Sequence, residues 1–183
     1  MYHISKDKRS IQSAELIFKG LLKCLEKKSF EFITITDLQK TSHVARSTFY
    51  RSFDNLSDVL FWKCDSCFSE VLGGYDPQGF KNELELVRDY FTYWFTHSEI
   101  LELLIKINRQ DIIYSCHMKN AELLQQQFGK IPGVDSNYFM AIRTGFTISV
   151  LTAWLKGGRK ENPDEVVKIL REQLFLLAKE AKA

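Results

Sequence analysis

Apolar residues return at three- and four-residue steps through almost every stretch of this chain, a period that buries one face only if the segment is helical. In a first helix over about Ser10 to Lys28, Ala14, Ile17, Phe18, Leu21, Leu22 and Leu25 fall on one stripe, leaving Lys19, Lys23 and Lys27 on other faces. Only Phe30 to Ile35, short, β-branched and aromatic, argues for a strand. The expected fold is therefore all-α, with about nine helices, and 45% hydrophobic residues suffice for a real core.

Cap signals divide the pattern. Thr34-Ile-Thr-Asp37 has the form of a capping box, in which the Thr34 hydroxyl accepts an orphan amide and Asp37 reaches back. It opens a short second helix, about Ile35 to Thr41, which breaks at Ser42-His43. Ala45 to Ser52 makes a third short helix, closed by Phe53-Asp54-Asn55. A fourth, about Ser57 to Leu72, is expected to bury Leu60, Phe61, Cys64, Cys67, Phe68 and Val71 before stopping at Gly73-Gly74. Tyr75 to Gly79 is the most loop-like segment. Further helices are expected at about Phe80 to Thr96, Glu99 to Asn108, Gln110 to Phe128, Ser136 to Leu155 and Pro163 to Lys182. The last has the clearest start, with Asn162 to cap, Pro163 where a missing amide costs nothing, and Asp164 and Glu165 complementing the dipole.

Charge is uneven although the net value is only +2. Residues 1–53 carry ten Lys and Arg against five Asp and Glu, whereas residues 54–183 carry fifteen against eighteen. A basic head that meets phosphates fits this division, and so does a plain solvated helix surface. Met1 to Ser10 is polar, without an apolar run behind a basic start, and no later stretch stays uncharged long enough for a membrane helix. The expectation is a cytoplasmic protein away from the membrane, with Cys24, Cys64, Cys67 and Cys116 reduced.

The segment from Ile33 to Leu60 resembles the DNA-binding region of the TetR/AcrR family of regulators. The likeness lies in the Ile-Thr-aliphatic entry to the second helix, Val44-x-x-Ser-Thr-Phe-Tyr50, the following Phe53, and Asn55 to Leu60 opening the fourth helix. Helical geometry agrees: Leu38, Val44, Phe49 and Phe53 can bury one side of two short crossed helices against the first, leaving Arg46, Ser47, Thr48, Tyr50 and Arg51 outward. Arg46 and Arg51 have the chemistry to reach guanine edges or phosphates, and Ser47, Thr48 and Tyr50 can bond the backbone. The resemblance implies that Tyr50 and the small polar residues set the helix on the phosphates, that Arg46 and Arg51 read bases, and that Thr36 adds a contact. Two positions depart from the family pattern. His43 stands where a glycine is usual, in a turn that often needs positive φ. Leu56 replaces a phosphate-contacting lysine, shifting that role to Lys6, Lys8, Arg9 and Arg51.

By the same resemblance, residues 1–55 form a helix-turn-helix DNA-binding head and residues 56–183 a ligand-binding and dimerisation body, with the helix over 56–72 bridging them. The function implied is a ligand-responsive regulator, a repressor binding a palindromic double-stranded operator as a homodimer. Phe68, Trp94, Ile113, Cys116, His117 and Phe146 are the candidate lining of a small-molecule effector pocket. Tyr90, Phe91, Tyr93, Trp94 and Phe95 crowd one helix all round, more aromatic surface than one core face needs. Phe139, Ile142, Phe146, Val150 and Trp154 form one stripe and Val166, Leu170, Leu174 and Leu177 another; both suit internal core, and the resemblance assigns them to a four-helix dimer interface, with Gly145 and Ala153 allowing close approach. Trp154-Leu-Lys-Gly-Gly before the Asn-Pro-Asp-Glu start also looks like the end of one branch of TetR-like regulatory domains.

Two other readings stay open. Cys64-x-x-Cys67 is half a metal site and Cys116-His117 could complete it, making a thiol or metal sensor, although both early cysteines share an apolar stripe where thiols act as small hydrophobes. His3, His43 and His97 have no ligand spacing. Alternatively, the chain is a helical interaction protein without DNA binding. There is no Gly-rich phosphate loop and no nucleophile elbow, so neither an enzyme, a cofactor nor a bound metal is expected.

Overall fold

A computed structural model describes residues 1–73, 83–128 and 137–180. Within them run α1 (Lys8–Leu25), a 3₁₀ turn (Phe30–Phe32), α2 (Ile35–Ser42), α3 (Arg46–Ser52), α4 (Leu56–Gly73), α5 (Glu83–Thr96), α6 (Glu99–Lys106), α7 (Gln110–Phe128), α8 (Asn137–Lys156) and α9 (Pro163–Glu180). The expected loop at Tyr75 to Gly79 lies outside the described residues. Phe30 to Ile35, the one stretch that argued for a strand, makes the 3₁₀ turn and then the cap of α2, in keeping with the all-α expectation. A strand of that length needs a neighbour to take its backbone groups, whereas a short turn and the helix cap satisfy them locally.

Local chemistry sets the helix ends. Thr34 Oγ1 accepts the Asp37 amide at 3.1 Å while Asp37 Oδ2 accepts the Thr34 amide at 3.0 Å, so the capping box closes. Asn55 and Asp58 do the same for α4, and Asn162 and Glu165 for α9. His43 ends α2 in the left-handed region, φ 58° and ψ 20°, and donates its amide to the Gln39 carbonyl at 3.0 Å.

Packing joins these elements around one core. α1 lies against α2, α3 and α4; α4 continues onto α6 and α7, α7 packs on α8, and α5 on α9. Ala14, Ile17, Phe18 and Leu21 of α1 meet Leu38, Phe49 and Phe53, and the cluster runs through Leu60, Cys64 and Phe68 of α4 to Trp94, Leu104, Ile113 and Cys116. At Gly20, α1 and α2 approach so closely that a β-carbon there would lie 2.5 Å from Ser42 Cβ. Among the described residues the β-pairing is an isolated antiparallel bridge, Tyr2 to Phe53, and no helix is long and apolar enough to cross a membrane.

Candidate nucleic-acid interface

α3 is about two turns long and fixed from below. Phe49 is buried, Val44 is half-buried, and the Phe49 ring leans on Phe53 (5.8 Å), which meets Trp62 of α4 edge-on (6.1 Å). This anchoring leaves Arg46, Ser47, Tyr50 and Arg51 exposed and Thr48 half-buried, while Thr36 is exposed on α2. Arg46 and Tyr50, one turn apart, form a pair: Nη2 lies 3.4 Å from the phenol oxygen and the guanidinium carbon sits 5.5 Å from the ring centroid. The surface so presented is cationic, with hydroxyl donors beside it, and can bond phosphate oxygens and base edges.

Both departures from the family pattern have local accounts. His43 occupies the left-handed turn and remains exposed, so its ring meets no steric barrier inside the head. Leu56, first residue of α4, is half-buried against the core, so apolar packing stands where a charge was expected. Lys6, Lys8 and Arg9 are exposed around the start of α1.

In the body, Phe68, Trp94, Ile113, Cys116 and His117 are all buried. Phe68 lies 4.7 Å from the Trp94 ring and 5.6 Å from His117, and Tyr90 adds a third contact 5.9 Å from His117. His117 Nδ1 pairs with Thr144 Oγ1 at 2.9 Å. The indole N–H of Trp94 is buried with no hydrogen-bond partner among the described residues, a cost of roughly 1–3 kcal/mol for a donor in that position. Phe146 stands apart, 38% exposed on α8.

The stripes assigned to a dimer face divide. Trp154, Val166 and Leu170 are buried by their own chain; Trp154 stacks on Phe95 at 3.6 Å and donates its indole N–H to the Glu161 carbonyl at 2.9 Å. These three complete the core because α5 packs behind α9. Val150 is half-buried, and the surface around Gly145 is open, since a β-carbon there would touch nothing within 4 Å. Among the described side chains, Ile142 at 70% and Ile169 at 46% are exposed aliphatics on α8 and α9. The side chains of Phe139 and Leu174 lie outside the described residues.

The cysteines are separated by their surroundings. Cys64 lies beside Cys116 in the core, and burial, then the neighbouring thiol, pushes its pKa well up. Cys67 is half-buried toward Tyr93, whose hydroxyl donates to Glu70 at 3.0 Å. Among the described residues no group of three or more His, Cys, Asp or Glu has the placement to hold a metal.

Sequence reasoning missed the groups that tie head to body. Arg109, at the start of α7, reaches Ser57 Oγ of α4 at 2.8 Å and sits 5.5 Å above the Phe30 ring. Asp65, a charge inside the apolar stripe of α4, is only 3% exposed and meets Lys119 of α7 and Tyr2. A carboxylate interrupting an apolar helical face was the available signal.

No family model matches the chain. A structure of Lin0861 from Listeria innocua superposes with a TM-score of 0.83 at 15% identity, over 96% of each chain. A TetR transcriptional regulator from Streptococcus agalactiae superposes with a TM-score of 0.57 at 17% identity, over 90% of this chain and 94% of that one. The chain has a TetR-like fold. In sequence it is similar to the HTH-type dhaKLM operon transcriptional activator DhaS of Lactococcus lactis, 30% identical over 84 residues. That match spans 45% of this chain and 45% of the relative's length. In this fold α2 and α3 are two short helices joined through the left-handed turn at His43, and α4 follows α3 after three residues and packs on α7.

Proposed function

We propose that this chain is a DNA-binding transcription regulator that acts as a homodimer, placing α3 of each copy in a major groove. The observation that carries this is the Arg46–Tyr50 face, with Arg51, exposed on a short helix whose opposite side is locked by Phe49 and Phe53. The TetR-like fold and the similarity to a protein named a transcriptional activator support the same reading. In the second copy, Ile142, Phe146 and Ile169, exposed among the described residues, would find apolar cover.

A small-molecule effector is part of the proposal. The Phe68, Tyr90, Trp94 and His117 rings make an apolar, aromatic environment with one unsatisfied N–H at Trp94, which suits an aromatic or hydrophobic molecule carrying an acceptor once the rings part to admit it. Effector and operator must then influence each other's affinity reciprocally. Repression released by the effector is the expected sign of control, and the activator name of the Lactococcus lactis relative gives the opposite sign its claim. A promoter fusion read with and without the protein separates them. A thiol sensor fits less well, because burial holds the Cys64 thiol neutral and hence unreactive.

Enrichment from random DNA by the purified chain tests the proposal. The expected products are inverted repeats whose half-sites lie about one helical turn, ~34 to 36 Å, or a multiple apart. A folded, dimeric protein that enriches nothing would refute it and favour the helical interaction protein instead.

A further inference from the structure

One charged junction joins α4 and α7 and takes part in neither the exposed face of α3 nor the aromatic ring contacts of Phe68, Trp94 and His117. Its centre is Asp65, in the middle of α4 and almost wholly buried. Oδ2 accepts from the Tyr2 hydroxyl and from Lys119 Nζ of α7 at 2.6 Å, and Oδ1 accepts from Asn120 Nδ2 at 2.7 Å. Asn120 is itself oriented, because the same nitrogen donates to the Cys116 carbonyl at 2.8 Å. The Lys119 ammonium lies 5.3 Å from the Tyr2 ring and 5.7 Å from that of Phe61. The carboxylate thus has three donors, as a buried charge requires.

Tyr2 also belongs to the head. It forms the antiparallel bridge with Phe53, and the next amide, His3, donates to the carbonyl of Ser52, the last residue of α3, at 2.8 Å. Only Phe53, Asp54 and Asn55 separate α3 from α4, so the angle between these helices is set by that short turn and by whatever braces it. The segment from Tyr2 to His3 is such a brace, with one end on the exit of α3 and the other on α4 and α7.

We infer that the Tyr2–Asp65–Lys119 junction positions the recognition helix for DNA, so that displacement of α7 is felt at α3 through Tyr2. This rests on the DNA-binding proposal and assigns positioning residues to it; none of the three is expected to touch DNA. Side chains that orient a binding element change affinity without changing the number of phosphates neutralised, and this separates them from contact residues.

The test uses the full chain and the DNA that the wild type enriches, well below the melting temperature of every variant. Tyr2→Phe and Lys119→Met should each weaken binding by about five- to twentyfold, within the usual range of coupling between sites, with the wild-type salt slope retained. Hydrogen exchange across residues 46–54 should quicken in both, and Lys119→Arg should restore most of the loss. Unchanged affinity and unchanged exchange in folded variants would reduce the junction to a stabilising contact and overturn the inference. A salt slope lowered by about one in Lys119→Met would overturn it too, by making Lys119 a phosphate contact. If the wild type enriches no DNA, the DNA-binding proposal fails on its own, and the exchange comparison still decides whether the junction restrains α3.

Discussion

At the scale of single residues, Gly20 shows how closely the head is built. Helix propensity alone would favour alanine there by about 1 kcal/mol. The added carbon, however, would lie 2.5 Å from Ser42 Cβ and 2.9 Å from the Ser42 Cα and amide nitrogen, so the α1–α2 contact must open. Gly20→Ala should therefore destabilise the protein by about 1–3 kcal/mol, as overpacking does, measured by urea denaturation with an unchanged m-value. Nothing in the sequence announced this contact, because Gly20 interrupts neither the period nor the charge pattern of α1. The outward set of α3 was legible, since Leu38, Val44, Phe49 and Phe53 leave only one side for Arg46, Tyr50 and Arg51. Asp65 stood out as a carboxylate in an apolar stripe, but its partner Lys119 did not. Their pairing joins residues 54 apart through the packing of α4 on α7, which no local pattern encodes.

At the scale of elements, the cap of α2 links the fold to pH. Lys28 donates to Asp37 at 2.8 Å, and this bond, followed by those from Thr34, holds the Asp37 carboxyl well below the usual carboxylate range. A depressed carboxyl stabilises the fold above its unfolded pKa of about 3.9 and loses that contribution as pH falls further. Acid unfolding should thus steepen below about pH 4, and Asp37→Asn should flatten that limb while lowering stability at neutral pH, read by circular dichroism against pH. Helix existence and most helix ends were legible because caps are local: Thr34 with Asp37 and Asn162 with Glu165 close as their spacing predicts. The stripes of α8 and α9 were harder. Periodicity shows that Trp154, Val166 and Leu170 face something apolar, but whether that is the same chain or a second copy depends on where α5 lies.

At the scale of the whole molecule, the continuous core matters most. Apolar contact passes from Phe53 in the head through α4 to Phe68 and Trp94 without a break, and Tyr2 and Arg109 bridge the same elements by polar contacts. Densely packed interiors transmit small displacements rather than absorbing them, so a change beside the Trp94 cluster has a physical route to α3. Recognition still depends on the few cations that this frame holds outward. The most direct test is the salt dependence of affinity for the enriched DNA, compared among wild type, Arg46→Ala and Arg51→Ala. The account predicts a loss of about 1–3 kcal/mol where an arginine reads a base, and a slope shallower by about one where it meets a phosphate. Both variants binding with wild-type affinity and slope, while folded, would contradict the assignment of α3 as the recognition helix.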